Sequence, residues 1–144
     1  SAKGVAVDLA GHWEVPSGLD LSFSLHNLGK MQTLRDQATA LPTYFKIGIV
    51  RPEIFADSPV NVSLGLNLIN NLVTEKTSMQ VGLEIALTNL IKLRSGYERV
   101  GTINRTALGA GLNFSRFELD YAIIFMPDGL GYPNLISLSY RPEL

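Results

Sequence analysis

Residues 5–25 read VAVDLAGHWEVPSGLDLSFSL, and this stretch decides the fold. Val5, Val7, Leu9, Gly11, Trp13 and Val15 form one face, and Ala6, Asp8, Ala10, His12 and Glu14 form the other. After Pro16-Ser17-Gly18 the alternation resumes, with Leu19, Leu21, Phe23 and Leu25 set against Asp20, Ser22, Ser24 and His26. Side chains on a strand change face at every residue, so this is a ribbon that is apolar on one side and polar on the other. A three-residue connection with glycine in the left-handed conformation commonly closes such a hairpin. That closure sets Val15 opposite Leu19 and Asp8 opposite His26.

The pattern recurs along the chain. A polar segment after His26, running to residue 41, predicts the longest loop. Further strands are predicted from about residue 43 to 51, where Phe45, Ile47 and Ile49 alternate with Lys46 and Gly48, and through PVNVSLGLNL at 59–68. The next pairs Met79, Val81, Leu83, Ile85 and Leu87 with Gln80, Gly82, Glu84 and Ala86. Then Ile91, Leu93, Ser95 and Tyr97 oppose Lys92, Arg94, Gly96 and Glu98. Leu108, Ala110, Leu112 and Phe114 mark a seventh strand, Phe117 to Phe125 an eighth, and Ile136, Leu138 and Tyr140 a last one. About nine strands and no helix predict an antiparallel meander, as in a sandwich or barrel.

Composition narrows the function classes. The chain has 144 residues, read as one domain over 1–144. It has no cysteine, which excludes disulfides and thiol chemistry. A net charge of −1 gives no reason to expect nucleic acid as a partner. Hydrophobic residues make up 46% and charged ones 17%, yet no apolar run approaches the ~20 residues of a membrane helix. No signal-peptide pattern opens the sequence, so a mature form or a fragment is expected.

Two readings of the faces compete. In one, the apolar face fills the interior of a soluble ligand-binding barrel. In the other, it meets lipid and the polar face lines a lumen. Three features favour lipid. The apolar set is almost free of charge. The polar set is rich in Gly, Ala, Ser and Asn, with few Lys and Glu. Aromatics fall near the strand ends, with Trp13, Phe114, Phe117 and Tyr140 at one rim and Phe45, Tyr97 and Phe125 at the other. Connections after the second, fourth, sixth and eighth strands read as long and polar. Those after the first, fifth and seventh read as tight, and that after the third as intermediate. Such asymmetry separates outer loops from periplasmic turns in outer-membrane barrels. An odd strand count puts the chain's two ends on opposite sides, whereas single-chain bacterial barrels have even counts. Part of a larger barrel is therefore expected, completed by a separate segment or another chain.

Candidate chemistry is sparse. An Asp8–His26 pair fits a register-fixing hydrogen bond better than a metal site, because no third ligand is placed. Glu14, Asp20, Glu84, Glu118 and Asp120 share the polar side with Lys46, Lys92, Arg94 and Arg141. This predicts a neutralised charge network rather than an acid–base pair. Gly65, Gly82, Gly96, Gly109 and Gly111 lie inside strands, outside any phosphate-loop context, and would allow bending or close packing. No cofactor, no metal and no enzymatic activity are expected.

A succession of short phrases carries a family resemblance. These are Val7-Asp8-Leu9, Leu25-His26-Asn27-Leu28-Gly29, Leu41-Pro42, Lys46-Ile47-Gly48, Val81-Gly82-Leu83-Glu84, Arg94-Ser95-Gly96-Tyr97, Leu119-Asp120-Tyr121-Ala122 and Ile136-Ser137-Leu138. In this order they resemble the C-terminal part of the PorV/PorQ group of outer-membrane proteins, a branch of the FadL-like barrels. The resemblance implies an antiparallel up-and-down transmembrane β-barrel of about fourteen strands in a bacterial outer membrane. It also implies a non-enzymatic role in type IX protein secretion or surface attachment, with the lipid bilayer and other subunits of a secretion complex as partners. The resemblance offers no catalytic motif to transfer, and the N-terminal plug region of FadL-like barrels has no counterpart here.

Loops on a rigid scaffold commonly carry recognition. The loops at 29–41, with Arg35 and Asp36, and at 126–133, with Leu130 and Tyr132, are the expected partner contacts. A FadL-like carrier of small hydrophobic molecules is the alternative. The polar face offers it mainly alanines with Ile69, Ile124 and Leu135.

Overall fold

The computed structural model describes residues 4–31, 41–55, 58–127 and 129–141. These form nine strands: β1 (Gly4–Val15), β2 (Leu19–Met31), β3 (Tyr44–Arg51), β4 (Val60–Asn71), β5 (Lys76–Leu87), β6 (Ile91–Val100), β7 (Ile103–Phe114), β8 (Phe117–Phe125) and β9 (Asn134–Tyr140). They make one sheet in chain order, each strand antiparallel to the next, with no helix among the described residues. The meander is thus as expected. It is not closed into a barrel: inter-strand contacts join chain neighbours alone, and β1 does not meet β9.

Register sets like against like. Leu21 pairs with Ile49, Leu66 with Val81 and Leu112 with Leu119 on one face. Ser22 pairs with Gly48, Gly65 with Gly82 and Gly111 with Asp120 on the other. The two faces differ in crowding. Leu108 is 53% exposed and Ile136 77%, whereas the Glu118 side chain on the polar face is only 12% exposed. A Cβ added at Gly48 would lie 2.6 Å from Ser22 Oγ and 2.5 Å from Asn67 Oδ1. A flat sheet exposes both faces alike. The sheet therefore curls toward its polar face and splays its apolar side chains outward.

No apolar side chain among the described residues is buried. The chain's accessible surface is 10745 Å². A compact monomer of 15.7 kDa would expose about 7300 Å². Each large apolar side chain withdrawn from water is worth ~1.5–3 kcal/mol, so this sheet forgoes the main driving force of folding unless something covers its outer face.

β2 runs to Met31, beyond the predicted end at His26. Val7 pairs with Leu28 and Leu9 with Leu25, so His26 and Asn27 together oppose Asp8. This is a β-bulge, and Asn27 adopts φ 57°. Its N–H donates to Asp8 Oδ1 at 2.7 Å, its Nδ2 to the Pro42 carbonyl at 2.9 Å, and its own carbonyl accepts from Thr43 Oγ1 at 3.0 Å. The extra residue reverses the parity and returns Leu28 to the apolar face. The broken alternation is why this part of the strand reads as loop.

Two connections predicted to be long are tight. Residues 72–75 join β4 to β5, where Asn71 Oδ1 accepts from the N–H groups of Val73 and Thr74, both at 3.0 Å. Gly101, at φ 60°, and Thr102 join β6 to β7. Polar residues such as Arg99 and Arg105 belong to the strands, not to a loop. The length asymmetry therefore rests on the connection after β2, residues 32–43, because those after β3 (52–59) and β8 (126–133) are equally long and leave opposite rims.

Phe23 covers the gap at Gly11, where an added Cβ would lie 2.3 Å from its ring, and Trp13 stacks on Phe23 with centroids 5.4 Å apart. An aromatic over a strand glycine is a known register pin. Trp13 is the only tryptophan, so it reports on β1. Asn27→Val, β-branched at a left-handed position, is expected to cost ~1–2 kcal/mol more than Asn27→Gly in urea unfolding followed by Trp13 fluorescence.

Candidate functional site

The polar face carries one concentrated feature. Glu84 on β5 lies directly opposite Arg94 on β6, and Arg94 Nε donates to Glu84 Oε2 at 2.7 Å. Arg94 also reaches over β7 to β8, where its Nη1 bonds Asp120 Oδ1 and its Nη2 lies 3.5 Å from Glu118 Oε1. Lys92 Nζ lies 3.5 Å from Glu118 Oε1, and Arg141, just past β9, donates to Glu118 Oε2 at 2.7 Å. Three acids meet three bases, so the cluster is neutral. It spans β5 to the end of β9, and Arg94 is its hub.

Glycine makes the long reach possible. Strands two apart in a sheet stand roughly 10 Å from each other. Arg94 pairs with Gly109 across β7, and Lys92 with Gly111. A Cβ at Gly111 would fall 2.6 Å from Asp120 Oδ1 and 3.4 Å from Arg94 Nη1. The two glycines are the gap through which β6 and β8 share charges.

A second group lies nearer the opposite rim. Glu98 accepts from Ser78 Oγ at 3.0 Å and Gln80 Nε2 at 2.9 Å, and Arg105 Nη1 stands 3.6 Å from it. Between the two groups runs a charge-free row, Gly65, Gly82, Gly96 and Ala107. Clefts of about 370 and 310 Å³ flank Gly96 and Ala107, one bordered by Arg94 and Asp120, the other by Glu98 and Arg105.

Membership of the cluster differs from the sequence expectation. Glu84, Glu118, Asp120, Lys92, Arg94 and Arg141 come together. Glu14 and Asp20 do face each other, but on the distant β1–β2 hairpin, and Lys46 on β3 makes no ion pair among the described residues. Asp8 and His26 meet as expected, Nδ1 to Oδ2 at 3.4 Å, while His26 Nε2 shares a hydrogen bond with Ser24 Oγ at 2.9 Å. The pair fastens the bulge. No three His, Asp or Glu among the described residues converge as a metal site requires.

Leu130 and Tyr132 project from the connection between β8 and β9, 73% and 64% exposed. The loop is internally tied: Leu130 N donates to the Pro127 carbonyl at 3.2 Å and Met126 N to the Gly131 carbonyl at 3.3 Å. Gly129 and Gly131 take φ of 71° and 88°. Tyr132 packs edge-on against Phe125 at 5.6 Å. Arg35 and Asp36 lie outside the described residues.

No family model, curated protein or solved structure matches the chain. Gly111→Ala is expected to destabilise the fold by roughly 1–3 kcal/mol, because the methyl enters the Arg94–Asp120 contact. Gly82→Ala, with nothing within 4 Å of the added methyl, should be neutral or slightly stabilising. Paired urea titrations of the two variants check this.

Proposed function

We propose that the chain is a non-enzymatic outer-membrane β-barrel protein of the PorV/PorQ kind. Its apolar face meets lipid, and the loops on one rim bind protein partners during secretion or surface attachment. The observation that carries this reading is the coreless sheet: a continuous apolar face lies exposed while the charges are gathered and neutralised on the crowded face. Water is a poor solvent for such a face and hydrocarbon a good one.

The rims support the reading. Trp13, Phe114, Phe117 and Tyr140 lie toward the rim of the turns after β1, β3, β5 and β7, with Phe117 and Tyr140 in ring contact at 5.1 Å. Phe45, Tyr97, Phe125 and Tyr132 lie toward the other. From Phe117 to Phe125 the strand covers about 26 Å, or ~20 Å along the normal once tilted by ~40°, comparable to the ~25 Å apolar band of outer-membrane barrels. The longest connection, after β2, leaves the same rim as the one after β8, and this rim is the outer one in this reading. Leu130 and Tyr132 then form an apolar contact on a loop held by its own hydrogen bonds. Neither alternative gains from the geometry. A soluble barrel filled by the apolar face would need that face to be the crowded one. A hydrophobic-ligand carrier would need clefts less hemmed by charge.

Leu108→Arg discriminates between the surroundings. Facing lipid near mid-height, arginine is expected to cost ~2–4 kcal/mol in unfolding from detergent or lipid. Facing water, an exposed strand position would shift by no more than ~0.5 kcal/mol. For partner binding, replacing residues 126–133 by a Gly-Ser linker of equal length should abolish co-purification of partner subunits while carbonate-resistant membrane retention persists. Retained co-purification would contradict the loop assignment.

A further inference from the structure

We infer that the apolar face of β6 holds an anionic phospholipid, its headgroup phosphate on Arg99 and an acyl chain in the depression at Ser95. The inference rests on the reading of that face as lipid-facing, and adds a particular lipid site to it.

The sign of the charges points there. Every acid within the described strands, from Asp8 on β1 to Asp120 on β8, lies on the polar face. The charged strand residues that share the apolar face are all cations: Lys30, paired with Val5, Arg51, paired with Leu64, and Arg99, paired with Met79. Each is the last or next-to-last residue of its strand. There a long cationic side chain reaches headgroups while its stem lies along apolar surface. None of the three is in an ion pair among the described residues, whereas Lys92, Arg94, Arg105 and Arg141 on the polar face all are. An apolar face whose border carries positive charge alone complements an anionic lipid surface.

Of the three cations, Arg99 has a place built round it. Its Nε donates to the Gly101 carbonyl at 3.2 Å, which keeps the guanidinium at the border and leaves both Nη groups for a phosphate. Its partner on β7, Asn104, accepts from Tyr97 Oη at 3.0 Å, so the Asn104 Nδ2 donor stands beside the guanidinium. Arg51 instead gives Nη1 to the Ser17 carbonyl at 3.0 Å. Farther along the same face of β6 comes Ser95, directly between Leu83 and Leu108. The small side chain leaves a depression of about 170 Å³ walled by Leu83, Ile85, Leu93 and Leu108. Four residues of strand put it ~13 Å from Arg99. A lipid whose phosphate sits on Arg99 therefore runs its chain past Tyr97 into that depression. A soluble anion would use the first site and leave the second.

Tryptophan quenching tests this. With Trp13 replaced by Phe, Met79→Trp places the one tryptophan opposite Arg99. The protein is reconstituted into phosphatidylcholine bilayers holding a minor fraction of brominated phosphatidylglycerol or, separately, the same fraction of brominated phosphatidylcholine. The expected result is stronger quenching by the anionic lipid, corresponding to an enrichment of about fivefold at position 79. Arg99→Gln should abolish the excess, Ser95→Leu should lower it by filling the depression, and Lys46→Gln, on the polar face, should leave it unchanged. Quenching by brominated phosphatidylcholine in each variant shows that it has inserted. Equal quenching by the two lipids, an excess that survives Arg99→Gln, or one lost equally in Lys46→Gln overturns the inference and leaves the lipid-facing reading standing. An excess undiminished in Ser95→Leu overturns the placement of the chain. Absence of quenching by either lipid overturns the lipid-facing reading, and the inference with it.

Discussion

The structure depends on one constraint: among the described residues no second layer lies against the apolar face of the sheet. In a two-layer domain, leucines such as Leu83, Leu93, Leu108 and Leu119 would vanish into a core. Here they stand more than a third exposed, in rows that continue from strand to strand. The hydrophobic effect that holds most folds together is left largely unused within this sheet; in the proposed reading an apolar medium supplies it. Backbone pairing, curl and side-chain placement all fit that arrangement.

The polar face answers the same constraint from the other side. Curling draws its side chains together, which would be costly for unpaired charges as water thins out between them. The sequence meets this with equal numbers of acids and bases around Arg94 and with glycines on β7 where bulk would block the reach to β8. Gly111 and Arg94 act as a unit, since the missing side chain of one is the space used by the other. The cluster joins β5, β6, β8 and the end of β9, so it braces the curl across strands that do not touch through their backbones.

Much of this was legible from the residues. Strict alternation located all nine strands, and the Pro16-Ser17-Gly18 turn sets Val15 opposite Leu19 as expected; Asp8, expected opposite His26, does meet it, but at a bulge that places Asn27 against it as well. The end of β2 was not legible, because a bulge at Asn27 reverses parity and a period-two reading stops there. The connections after β4 and β6 are shorter than their polarity suggests, because Asn70, Arg99 and Arg105 are strand residues. Cluster membership was half legible. Alternation puts Glu14, Asp20 and Lys46 on the same face as Glu84 and Arg94, but only strand order and curl decide which charges meet. The role of Gly109 and Gly111 was visible as a Gly-x-Gly on the polar face between two charged strands, a signal that needs the pairing of β6 with β7 and β8 to be read.

The face assignment is the central claim, and tryptophan quenching by brominated lipid tests it directly. With Trp13 replaced by Phe, a single tryptophan is placed at Leu108 on the apolar face or at its neighbour Ala107 on the polar face, and each protein is reconstituted into bilayers with bromine at mid-chain. The account predicts strong quenching at position 108 and little at 107. Equal quenching, or stronger quenching at 107, would contradict it.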